Sequence, residues 1–152
     1  MSSLRVIFTN SHMPLAPIIR AVTWSKFSHM ALLFNNDTKV LHADMHGVRV
    51  EPVNALQDRS KNWMIVEYKC DRPEDLIEAC MTQLGKPYDF TGIIGVAIRD
   101  VNLQDTGKWW CSELPAYGAM ASGQPFFQEE YMSRITPQHW LMLPHTVISY
   151  SR

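Results

Sequence analysis

Cys111 is placed to act as a nucleophile. It precedes a segment, Ser112 to Met120, whose composition predicts a helix, with Pro115 near the start where a missing N–H costs nothing. A free thiol ionises near about 8.5 and is mostly protonated at neutral pH. The positive end of a helix and a nearby imidazolium both favour the thiolate, the form that attacks acyl carbon. The alternative is a buried, inert thiol, since free cysteine is among the most buried residue types.

A general base is offered by Ser28-His29-Met30-Ala31-Leu32-Leu33-Phe34. A histidine in an apolar strand is costly unless its ring nitrogens find partners, and a core histidine bonded to a carbonyl is the plainer explanation. His42 follows in Val40-Leu41-His42-Ala43-Asp44. If the two segments pair as a hairpin, the rings of His29 and His42 lie on adjacent strands. A third polar group beside a catalytic imidazole fixes its tautomer and orientation. His42 can fill that place, with Asp44, two residues on and on the same face, in reserve. A solvent-facing strand position is the alternative for His42.

The elements that must position these residues read as strands early and helices late. Leu4 to Thr9 predicts a first strand, and Pro14 to Trp24 a loop with a short helix from about Pro17. Ser28 to Phe34 and Lys39 to Ala43 flank the turn signal Asn35-Asn36-Asp37, a hairpin. Gly47 to Pro52 and Trp63 to Tyr68 predict further strands, and Thr146 to Tyr150 a last one. Pro73 to Leu84 predicts a helix capped by Asp71 and stopped by Gly85, with Leu76, Ile77, Cys80 and Leu84 on one face. With no alternation of strand and helix, the fold class is α+β rather than a parallel α/β sheet.

Four segments in this order resemble the circularly permuted NlpC-type papain-like amidases, relatives of the lecithin:retinol acyltransferase group. They are Phe27 to Leu32; Val40 to Ala43 with Gly47-Val48; Gly85-Lys86-Pro87-Tyr88-Asp89; and Trp110 to Leu114. The resemblance implies a permuted papain-like fold, an antiparallel sheet or partial barrel packed against helices, over one domain of residues 1–152. It implies Cys111 as nucleophile, His29 as base and His42 as third residue. Many bacterial relatives carry Glu at that third position, whereas the acyltransferase branch uses His. Tyr88 is a candidate oxyanion donor, or a ring packed under a turn; Trp109 and Trp110 can wall a cleft or pack in the core.

The expected activity is a cysteine hydrolase acting on a peptide or isopeptide-like amide through an acyl-enzyme, without cofactor. The alternatives are a lipid acyltransferase or thioesterase and a non-catalytic binding domain. Expected partners are a peptide, a cell-wall fragment or an acyl-bearing substrate. The chain has 152 residues with 14 basic and 15 acidic side chains, a net charge of -1, so no nucleic-acid partner is expected. Cys70, Cys80 and Cys111 are an odd set without close pairs, which argues against a disulfide framework or a structural zinc site. His42 and His46 are four apart, but off a helix that spacing does not bring both rings to one ion, so no metal is expected. No segment has the length of a membrane span or signal core, so no stable membrane insertion is expected; the default is a cytoplasmic protein of phage or bacterial origin. Oligomeric state is not addressed by any motif, and Gly123 to Pro137 is read either as a cleft border or as a partner surface.

Overall fold

The computed structural model describes residues 2–12, 25–88 and 110–152. The loop and helix expected over Pro14 to Trp24, and residues Asp89 and Trp109, lie outside these ranges.

Six strands form one open antiparallel sheet in the order β4-β3-β2-β1-β5-β6. They are β1 (Ser3–Ser11), β2 (His29–Phe34), β3 (Lys39–Asp44), β4 (Gly47–Pro52), β5 (Ser60–Lys69) and β6 (Thr146–Tyr150). Among the described residues four helices accompany them: α1 (Val53–Asp58), α2 (Pro73–Met81), α3 (Glu113–Ala121) and α4 (Pro137–Met142). A 3-10 helix spans Glu129–Arg134. The class is α+β, as the sequence predicts.

β1 is central because its run Val-Ile-Phe is apolar on both faces. Its even residues Leu4, Val6 and Phe8 pack with Met30, Leu32, Leu41, Ala43, Val66 and Tyr68 under Leu76, Cys80, Leu114, Ala116 and Ala119 of α2 and α3. Ile7 goes the other way and meets Ala31, Leu33, Val40 and Leu56 of α1. Each large side chain fully removed from water contributes about 1.5–3 kcal/mol, so these two layers set the register.

The β2–β3 hairpin pairs Leu32 with Leu41 and Leu33 with Val40. Its turn runs through Asn35, Asn36 and Asp37, all at positive φ, a region that Asn and Asp tolerate best among non-glycine residues. Gly47 (φ 93°) turns β3 into β4 where the chain of Lys86 crosses. There the Val48 N–H donates to Lys86 O at 2.8 Å and the Gly85 N–H to Val48 O at 2.9 Å, tying the Gly85–Tyr88 loop to β4.

Two boundaries differ from expectation. α2 ends at Met81, and Leu84 lies beyond it and is 47% exposed rather than in the apolar face. Its N-cap is Arg72, with no side-chain cap bond, so Asp71 does not cap it. The segment from Gly123 to Pro137 borders the core: Phe126 and Phe127 pack on Trp140 at ring distances of 5.1 and 5.2 Å. Tyr68 donates its hydroxyl to Trp140 O at 2.7 Å in the same cluster.

Candidate active site

Cys111 stands one residue before the N-cap of α3, which is Ser112. The helix start is held from below. Ser112 Oγ donates to Ile135 O at 2.6 Å, and the Trp140 indole donates to Ser112 O at 3.0 Å, all buried. Backbone N–H groups of Met30, Ser112 and Cys111 itself face the sulfur and favour its anion. Burial outweighs them and pushes the thiol up to about 12. Burial thus favours the neutral thiol; Cys111 is 2% exposed, and its sulfur faces the peptide that follows His29. Cys70 and Cys80 are also free and buried, and burial raises Cys80 to about 12 without a helix N-terminus to oppose it.

His29 opens β2, and its Nε2 lies 2.7 Å from His42 Nδ1. The hairpin expected from the sequence thus brings the two rings together, edge to face at 4.9 Å between centroids. Burial, then the neighbouring His42, pulls His29 down to about 3. Among the described residues no hydrogen bond joins His29 to the sulfur. Met30 packs with Cys111 in the helix-side core, while His42, between Leu41 and Ala43 of that core, points to the opposite face. The sulfur and the imidazole pair thus approach the start of β2 from different sides. Catalytic hydrogen bonds in free enzymes are often long and tighten only when substrate binds.

His42 is 1% exposed, and its second nitrogen faces a carboxylate. Nε2 lies 2.9 Å from Glu51 Oε1 but off the hydrogen-bond axis, so the contact is mainly electrostatic. Asp44, the reserve third residue, is farther, with Oδ2 at 3.9 Å from the same nitrogen. Arg49 Nη2 donates to Asp44 at 2.6 Å, and Arg59 Nη1 to Glu51 at 2.8 Å. Burial alone would raise Glu51, yet contacts from His42 and Arg59 hold it well below the usual carboxylate range. For Asp44, burial is likewise overcome, chiefly by the hydrogen bond from Arg49.

The sequence reading places His42 beside His29 and does not single out Glu51 or Arg59, which the structure puts next to His42. The available signal was strand alternation: β4 pairs Val40 with Glu51 and His42 with Arg49, so all four belong to neighbouring rungs. Arg59 ends α1, a helix too short and plain to be recognised.

Tyr88 ends the loop stitched to β4 and packs, partly buried, against the helix-side core. Trp110 is 0% exposed, and its indole nitrogen has no partner among the described residues. It packs as core here.

His42, Asp44 and Glu51 offer ligand atoms within 4.8 Å of one another. This donor set fits a divalent cation poorly, because Arg49 and Arg59 already place two positive charges on the two carboxylates. No step is assigned to a metal.

Comparison with known proteins identifies a family and solved structures of similar fold. The family described as "Permuted papain-like amidase enzyme, YaeF/YiiX, C92 family" matches residues 5–114. A crystal structure described as metalloprotein yiiX from Escherichia coli O157:H7 superposes with a TM-score of 0.76, at 16% identity, covering 99% of this chain and 97% of that one. No curated protein matches.

Proposed function

The chain belongs to the permuted papain-like amidase family, and from that premise we propose that it hydrolyses an amide through an acyl-enzyme on Cys111. The observation that carries the reading is the ring of backbone N–H groups on the Cys111 sulfur, one of them from Met30, the neighbour of His29. In this reading the thiol and His29 are both neutral at rest. As substrate binds, the thiol proton passes to His29 Nδ1 around the start of β2, which the two side chains approach from different faces at rest, while sulfur attacks the acyl carbon. His29 Nε2 stays on His42, which holds the ring in one orientation. The oxyanion is met by the Cys111 backbone N–H, with Tyr88 as candidate second donor; one such donor is typically worth about 10² to 10³ in rate. His29 returns the proton to the leaving amine, and water releases the acyl group.

A second reading is favoured by the ring of His42 at the third position, which is shared with the acyltransferase branch. There the acyl group passes to an acceptor other than water. Assaying peptidoglycan peptides and acyl lipids side by side separates the two. In either case Cys111→Ala should fold and lose turnover; a Cys111→Ala protein of unchanged activity overturns both.

A further inference from the structure

We infer that Glu51, anchored by Arg59, is a positioning residue that fixes the tautomers of both histidines and so selects Nδ1 of His29 as the proton acceptor. The inference rests on the reading of Cys111 and His29 given above.

A lone pair on the His42 nitrogen 2.9 Å from Glu51 Oε1 would be repelled by the carboxylate and an N–H attracted, so the electrostatic contact favours the His42 tautomer with its proton on Nε2. Nδ1 of that tautomer is an acceptor, and His29 Nε2, 2.7 Å away, must donate to it. The lone pair of His29 is thereby assigned to Nδ1. Were Glu51 absent, His42 could carry its proton on Nδ1 instead, and His29 would present the wrong nitrogen.

Glu51 is suited to this task because it is itself held. It is 9% exposed, Arg59 grips both of its oxygens, and Arg49 Nη1 lies 3.3 Å from Oε2. Asp44, the other carboxylate facing the pair, is engaged by Arg49 and is an ångström farther from His42. When the proton moves from Cys111 sulfur to His29 Nδ1, the imidazolium gains a fixed anion behind His42. The S–H bond breaks, the N–H bond forms, and no other atom changes hands.

The test uses the full chain labelled with iodoacetamide, in which the sulfur–carbon bond forms and iodide leaves. Wild type and Glu51→Gln are compared at pH 7 by the labelling rate of Cys111, with Cys70 and Cys80 as internal references. Imidazole ¹⁵N spectra of both proteins report the tautomers. The expected result is a Cys111 rate lowered about tenfold or more in Glu51→Gln, as one pK unit of lost imidazolium stabilisation gives. The His42 signals should shift away from the Nε2–H pattern, with circular dichroism unchanged. Arg59→Gln, at a 43% exposed position, loosens Glu51 without removing it and should lower the rate less. That variant carries the test should Glu51→Gln not fold. Equal Cys111 rates in wild type and variants, with unchanged tautomers, overturn the inference and leave the nucleophile reading standing. A wild-type Cys111 that labels no faster than Cys70 and Cys80 overturns the nucleophile reading itself, and this inference with it.

Discussion

His29 Nε2 and His42 Nδ1 stand 2.7 Å apart on neighbouring strands, so one proton is shared between two rings that the β2–β3 hairpin fixes in place. A base held this way has one ring nitrogen committed to its neighbour, which leaves the other to take a proton. That contact decides how the first prediction comes out.

Replacing His42 by Leu removes the acceptor for His29 Nε2. Turnover of an activated ester such as p-nitrophenyl acetate should fall by between about 10² and 10⁴ in kcat, with KM little changed. His42→Asn keeps an acceptor oxygen near the position of Nδ1 and should recover part of the loss. Steady-state kinetics on the two variants, with circular dichroism to show that they fold, checks this.

The fold should weaken in acid. His29 is pulled from its ordinary 6.5 to about 3 by burial and His42. Between those values the unfolded chain binds a proton that the native protein does not, so stability falls as pH drops through that window. Glu51 and Asp44, both depressed in the fold, add to the loss as pH falls below the usual carboxylate range. Urea midpoints measured from pH 7 down to pH 4 should decline steadily, and His29→Asn should flatten the upper part of the curve.

Gly118 of α3 is where the two core helices touch. A Cβ there would lie 2.7 Å from Leu76 O and would also strike Cys80 Sγ. Gly118→Ala should therefore destabilise the protein by about 1–3 kcal/mol despite the better helix propensity of alanine. Adding Cys80→Ala should relieve only part of this, because the Leu76 carbonyl is backbone. Chemical denaturation of the single and double variants measures both effects.

Much of this architecture was readable because two periodicities are clean. β1, β2 and β3 alternate or run apolar between turn residues, and α2 begins at a proline followed by acidic residues in its first turn. The His29–His42 contact followed from the hairpin alone. α4 is not legible although Thr136 and Pro137 mark its start, because the box is closed by His139 in place of the usual Glu or Gln. α1 is six residues long, below the length at which helical periodicity can be distinguished from a strand end. Spacing puts Leu84 on the apolar face of α2, yet the chain leaves the helix at Thr82 to reach the positive-φ turn at Gly85. Glu51 and Arg59 were not legible because their roles depend on strand pairing across β3 and β4 and on where α1 ends, which no local pattern states. Burial of Cys111 stands in the sequence reading only as an alternative, because a helix N-terminus is visible in sequence whereas complete burial of the residue is not.

The most direct test of the central proposal needs no natural substrate. The protein is exposed briefly to p-nitrophenyl acetate and quenched in acid, and the acetylated residue is located by peptide mass spectrometry. One acetyl group on Cys111 in the wild type, absent in His29→Ala, is the predicted result. Acetylation spread equally over Cys70, Cys80 and Cys111, or unchanged at Cys111 when His29 is removed, would contradict it.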